Sequence, residues 1–217
     1  MTIVCGVEEA GRGPVIGPLV MCGITIDEKE TSKLEAIGVK DSKLLTPFQR
    51  EDLFEKIKNI AKKYEIIIIP SQEIDDILNS EDMNLNWLEA KTSADIINKL
   101  NPDKAILDCP STNIKAYSDY VKNLLTKKVE LIAEHKADLN YPVVGAASIL
   151  AKVTRDREIE KIKKQIKINF GSGYPSDPKT IEFLEKNWNI HPTIFRRTWS
   201  SYKRYSEAKK QKRLGEF

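Results

Sequence analysis

Glu8 and Glu9 stand side by side after the apolar run TIVCGV, Asp108 closes KAILD, and Asp138 follows VELIA in the segment EHKAD. Runs of this kind read as short strands, and strand ends in an open α/β sheet are where sites assemble. If those strands are neighbours, the four carboxylates converge and their mutual repulsion must be offset. Divalent cations do this; they also lower the pKa of a bound water and stabilise the entering and leaving oxygens in phosphodiester hydrolysis. Taken singly, each acid has an ordinary role as a helix cap or a solvated loop residue, Asp108 before Cys109-Pro110 above all, so the chemical reading rests on the four together. The rest of the chain favours oxygen ligation. Cys5, Cys22 and Cys109 have no CxxC spacing and only His135 and His191 are present, which points to Mg²⁺ or Mn²⁺ over zinc. Scattered cysteines also suit a reducing cytosol.

Two residues beyond Glu9 comes Gly11-Arg12-Gly13-Pro14-Val15-Ile16-Gly17. A dinucleotide fingerprint would open a helix and have one residue fewer, whereas this loop leads into a strand. Closely spaced glycines still let a backbone approach a ligand at contact distance, and a plain tight turn does not explain an arginine between two of them beside two acids. The overall charge of +3 hides an asymmetry: Arg196 to Arg213 carries eight basic residues and one acid, Glu207, and the remainder is mildly acidic. With Trp199, Tyr202 and Tyr205 interleaved, that run suggests contact with a polyanion; a solvated helix is the alternative.

The elements that must position these groups alternate. Strands are expected at Thr2–Val7, Leu19–Ile26, Tyr64–Ile69, Lys104–Asp108 and Val129–Ala133. Helices are expected from Thr46-Pro47 (a good cap with Pro at the first position), over about 84–100 and 113–125, from Pro142 to near Asn169, over 179–187 and over about 200–212. This is an α/β body with a helical C-terminal extension. Apolar runs such as Val143 to Ala151 are far short of the ~20 residues of a spanning helix, and no signal peptide is evident, so a soluble, cytoplasmic protein is expected.

The segments GVEEAGRGPVIGP, VKDSKLL, ILDCPSTN, AEHKADLNYPVVGAASILAKVTRDREIE and GSGYPSDPKT together resemble type 2 ribonuclease H (ribonuclease HII), in its archaeal version, over nearly the whole chain and in the same order. The resemblance implies a ribonuclease-H-like mixed β-sheet flanked by helices, with residues 1–160 catalytic and 161–217 a helical C-terminal subdomain. It implies an endonuclease that hydrolyses the RNA strand of RNA/DNA hybrids and cuts 5′ of ribonucleotides embedded in duplex DNA, leaving 3′-hydroxyl and 5′-phosphate ends. Glu8, Glu9, Asp108 and Asp138 would be the metal-binding catalytic carboxylates, holding two Mg²⁺ or Mn²⁺ ions. Gly11, Arg12 and Gly13 would sense the ribose 2′-hydroxyl through backbone groups, the contact that separates RNA from DNA. Tyr174 would pack on the deoxyribose after the ribonucleotide, with turn packing as its alternative role. Lys43 and Lys136 are candidates for phosphate contacts. His135 is read as supporting its loop, and Asp156 as a helix-surface or salt-bridge residue.

The chain departs from the family pattern at one acid: Glu8 stands where the pattern has Asp. The extra methylene moves a carboxylate by about one bond, and misplacement near 1 Å can cost ~100-fold in rate. Reduced turnover or a shift toward the geometrically less exacting Mn²⁺ is therefore expected. The alternative is a catalytically impaired hybrid-binding or clamp-associated protein; a nuclease of the same superfamily acting on DNA is a third reading. Finally, Gln211-Lys212-Arg213-Leu214-Gly215-Glu216-Phe217 resembles the peptide by which replication enzymes dock on the sliding clamp. Leu214 and Phe217 would enter an apolar pocket and Gln211 would bond at its edge. Such motifs usually end in two aromatics, and only Phe217 is present. A monomer is expected.

Overall fold

The computed structural model describes residues 1–39, 45–80 and 82–214, with side chains as far as Glu207. Lys43 and Phe217, and the side chains of Gln211 and Leu214, lie outside the described residues. The chain forms two compact units, Met1–Ala10 with Val20–Ile68 and Asn84–Thr154, and Gly11–Leu19 with Ile69–Met83 and Arg155–Phe217.

The first unit is built on a five-stranded sheet, in the order β3-β2-β1-β4-β5. Its strands are β1 (Ile3–Ala10), β2 (Leu19–Asp27), β3 (Lys63–Ile69), β4 (Lys104–Asp108) and β5 (Glu130–Glu134). β1 runs antiparallel to β2 and parallel to β4, and β4 runs parallel to β5, so the sheet is mixed. β3 lies at an edge, which is why Tyr64 and Ile68 of its apolar run remain exposed.

α1 (Thr31–Ala36), α2 (Pro47–Ile60), α4 (Leu85–Leu100), α5 (Ile114–Leu124), α6 (Ala137–Asn140) and the start of α7 (Pro142–Ile166) accompany this sheet. α2 begins as its sequence demands. The Thr46 hydroxyl accepts from the Gln49 amide and the Gln49 side chain accepts from the Thr46 amide, a reciprocal cap worth about 1 kcal/mol. α7 approaches the sheet closely because its facing residues are small. A methyl group on Gly6 would collide with the Val143 carbonyl carbon, and one on Gly145 would sit 3.1 Å from the carbonyl oxygens of Asp138 and Val39. Val144, Ala146, Ala147, Ile149 and Leu150 complete a dry contact with β1 and β2 residues.

The second unit contains the loop Gly11–Pro18, α3 (Ser71–Leu78), the C-terminal part of α7, α8 (Pro178–Asn187) and α9 (Ser200–Leu214). Its core is Val15, Ile16, Ile159, Phe170, Phe183, Leu184, Phe195 and Tyr202. The division expected at residue 160 falls inside α7, whereas the units divide at Thr154/Arg155 and the second recruits two distant segments. Long-range hydrogen bonds recruit them: Ile16 bridges Phe195, and Ser71 Oγ donates to the carbonyls of Gly17 and Ile194, both at 3.0 Å. Among the described residues no helix is long and apolar enough to cross a membrane.

Candidate active site

Glu8 and Glu9 lie inside β1, with only Ala10 after them, where the sequence suggested a strand that stopped before them. They pair across to Cys22 and Met21 of β2. Successive strand residues point to opposite faces, and the neighbours of β1 identify each face. Gly6 abuts α7, so Glu8 turns the same way; Val7 reaches Ile96 and Leu100 of α4 around Gly23, so Glu9 turns toward α4 and α5. In agreement, Glu9 acts electrostatically on Cys109 and Tyr117, while Glu8 feels Lys152 of α7.

Glu8 is buried, 8% exposed, and its Oε2 has no hydrogen-bond partner among the described residues. Its carboxyl is held well above the usual carboxylate range, first by burial, then by the negative charges of Glu9, Asp108 and Asp138; Lys152 opposes the shift. The four acids therefore share one electrostatic neighbourhood. Asp108, half-buried at the end of β4, accepts from the Ala137 amide at 3.2 Å, which ties it to the helix that carries buried Asp138. His135 donates from Nδ1 to the Cys109 carbonyl at 2.8 Å, so it fastens the ends of β4 and β5 to each other. Lys136 is exposed in a left-handed conformation (φ 59°). Among the described residues no three His, Cys, Asp or Glu side chains stand close enough to hold a cation as they are. The opposite facing of Glu8 and Glu9 accounts for part of that spacing.

The donor set is nonetheless right for a hard divalent cation. It is all carboxylate oxygen, Glu8 Oε2 is buried without a donor among the described residues, and a cation would relieve the repulsion that raises Glu8.

The glycine loop is a different construction. Gly11 and Gly17 have φ of 83° and 89°, where an L side chain is strained; a methyl group at Gly11 would also collide with Arg155 Cδ and stand 2.8 Å from the Pro18 carbonyl oxygen. The amides of Val15 and Ile16 donate to the Gly173 carbonyl at 2.9 and 3.2 Å, which laces the loop to the GSGYP turn. Tyr174 is thereby brought to Gly13: a methyl group there would lie 3.7 Å from the tyrosine Cε1 and meet nothing else within 4 Å but the same ring. Tyr174 is exposed, and the buried Arg155 guanidinium lies 5.0 Å from its ring centre and donates to the Ser172 carbonyl.

Sequence reasoning gave no role to Lys152, Arg155 or Asp75. The signal for the first two was their place in AASILAKVTRDRE, a segment otherwise read as a helix with a charged surface. Asp156 of that segment is exposed, as expected. The basic run needs correction at its first residue. Arg196 is fully buried against the loop and serves the fold instead of a polyanion, whereas Arg197 bonds Asp75 at 3.3 Å with its side chain still exposed. Trp199 lies on the Arg196 guanidinium and Tyr202 is buried.

A mixed five-stranded sheet flanked by helices is the architecture of the ribonuclease-H-like proteins. The structure superposes on ribonuclease H2 from Pyrococcus horikoshii OT3 with a TM-score of 0.87 at 46% identity, over 95% of this chain and 98% of that one. It superposes on the ribonuclease HII of Archaeoglobus fulgidus, solved in complex with PCNA, with a TM-score of 0.83 at 38% identity, over 91% and 95%. Ribonuclease HII from Pyrococcus furiosus is 47% identical over 213 residues, 96% of this chain and 93% of that protein. The family model for ribonuclease HII matches residues 5–202, and the chain belongs to that family of metal-dependent endonucleases, which degrade the RNA of RNA/DNA hybrids. This relationship favours an enzyme over the non-enzymatic alternative that Glu8 raised.

Proposed function

We propose that this endoribonuclease cuts 5′ of a ribonucleotide both in long hybrids and at single ribonucleotides within duplex DNA, leaving 3′-hydroxyl and 5′-phosphate ends. The observation that carries this reading is the meeting of Gly13 and Tyr174, an open glycine beside an exposed aromatic ring on a laced loop. A sugar could pack on that ring while the backbone of Gly11, Arg12 and Gly13 approaches its 2′-hydroxyl, a contact that only a ribonucleotide offers.

Glu8, Glu9, Asp108 and Asp138 would hold the divalent cations, Mg²⁺ or Mn²⁺ and two during turnover. When bound, such ions neutralise charge developing on the phosphate and activate water toward it. The chain's own part is to fix those carboxylates: burial confines Glu8, and the Ala137 amide orients Asp108. Exposed Lys136 is suited to a phosphate contact, and Lys43 is proposed for the same role from its motif. The PCNA complex of the Archaeoglobus fulgidus relative supports a sliding clamp as partner, through Gln211, Leu214 and Phe217. Ribonucleotide removal during replication and repair, by a cytoplasmic monomer, is the corresponding cellular role.

A DNA duplex carrying one ribonucleotide, incubated with Mg²⁺ or Mn²⁺, tests the reading. A cut on the 5′ side of the ribonucleotide is expected. Equal cutting of the all-DNA duplex, or binding without cutting, would overturn it.

A further inference from the structure

Arg196 heads the fully buried side chains by volume, and it is a cation. Burying a guanidinium is costly unless its donors are met, and here they meet one short stretch of backbone. Nη2 donates to the Gly11 carbonyl at 2.6 Å, Nη1 to the Arg12 carbonyl at 3.0 Å and Nε to the Gly17 carbonyl at 3.0 Å. Its own amide donates to the Val15 carbonyl at 2.8 Å, and its Cζ lies 4.8 Å from the centre of the Trp199 ring. A residue nearly two hundred positions downstream thus grips both ends of the glycine loop. The adjoining Arg197 and Thr198 are anchored in turn: Asp75 accepts from their amides at 2.7 and 2.9 Å.

The peptide plane turns this grip into a directional device. In a trans peptide the C=O of one residue and the N–H of the next point in opposite directions. With the carbonyls of Gly11 and Arg12 drawn toward the guanidinium, the amides of Arg12 and Gly13 are directed away from it. They form two consecutive donors on the side of the loop turned away from Arg196. Hydrogen bonding at the carbonyl end of a peptide also polarises its N–H and strengthens it as a donor.

We infer that Arg196 is a positioning residue for ribose recognition: by holding the carbonyls of Gly11 and Arg12 it aims the amides of Arg12 and Gly13 at the 2′-hydroxyl of the ribonucleotide. The inference rests on the loop reading given under the proposed function. It assigns to a buried arginine, outside the loop and the carboxylates, control over how well RNA is told from DNA. Lysine cannot replace it, because a point charge with rotating donors does not match three carbonyls as a planar fork does.

The test separates KM from kcat. Cleavage of a duplex with one ribonucleotide is followed in Mn²⁺, with the all-DNA duplex of the same sequence as competitive inhibitor. The ratio of its inhibition constant to KM measures discrimination. In Arg196→Lys that ratio is expected to fall about tenfold through a rise in KM, the scale of one charge-assisted hydrogen bond, with the inhibition constant unchanged. Trp199→Leu, which keeps the arginine and removes the ring that orients it, is expected to lower the ratio by about threefold and carries the test if the lysine variant does not fold. An unchanged ratio in the folded variants, with only kcat reduced, would show a purely structural arginine and overturn the inference. Gly13→Ala, whose methyl group fits the free protein, isolates the loop reading. Discrimination kept in Gly13→Ala sinks that reading; discrimination lost there but kept in Arg196→Lys sinks the inference alone.

Discussion

Glu8 is buried among like charges with an oxygen that no donor satisfies among the described residues, whereas the carbonyls of Gly11, Arg12 and Gly17 are all satisfied by one guanidinium. Glu8 is incomplete as protein alone: burial and the charges of Glu9, Asp108 and Asp138 disfavour its charged form, and a cation would offset both. The glycine loop is completed from within, by Arg196, the Gly173 carbonyl and Ser71. On the proposed function the first region would exchange ions and a phosphate, and it is left with a buried, repelled carboxyl. The second would read one hydroxyl, and its backbone is held in place by those bonds, as recognition by fixed dipoles requires.

The largest effect that sharpens this contrast is expected from Asp138→Asn. Turnover should fall on the order of 1000-fold, read by single-turnover cleavage, because a ligand charge is lost. The metal-free melting temperature should rise, by about 2–4 °C for each kcal/mol of repulsion relieved. Activity and stability moving together would break the contrast. Next is Gly11→Ala, which places a side chain at φ 83° against Arg155 and Pro18. A cost of about 1–3 kcal/mol is expected in thermal unfolding, together with loss of cleavage, whereas Gly13→Ala leaves the melting temperature near that of the parent.

Glu8→Asp should raise the Mg²⁺-supported rate, by up to ~100-fold, and the Mn²⁺-supported rate by less. Equal Mg²⁺ rates for the two proteins would remove the significance given to the extra methylene.

The smallest effect concerns Asp177, which accepts from the amides of Ser172 (2.7 Å) and Lys179 (3.0 Å) and caps α8. Those bonds, the Ser172 amide first, hold its carboxyl below the ordinary 3.8. With the native pKa below the unfolded one, the stabilisation is fully present above the unfolded value and is lost as pH falls through the native one. Asp177→Asn should therefore lower the melting temperature by about 1–2 °C near neutral pH and by nothing in strong acid; a gap that persists in acid would assign the effect to packing.

The strands and long helices were legible in the sequence because period and caps are local. Thr46-Pro47 marked α2, and the small, apolar stretch after Pro142 marked the start of α7. α3 was missed: Pro70, which directly follows β3, occupies the position before the helix. The order of the four acids was legible from motif. Their facing was not, because it depends on β1 continuing to Ala10, and that continuation is fixed by pairing with Val20 and Met21 of a different segment. Arg196 was illegible for the same kind of reason. In sequence it opens a basic run; only bonds across more than 170 residues show it to be interior.

Mn²⁺ binding to the folded protein, followed by electron paramagnetic resonance without nucleic acid, tests the central claim most directly. The unmodified chain should bind the ion at the carboxylates, and Glu8→Gln and Asp138→Asn should each weaken binding at least tenfold while remaining folded. Equal Mn²⁺ affinity in all three proteins would contradict the claim that this buried repulsion exists to hold a cation.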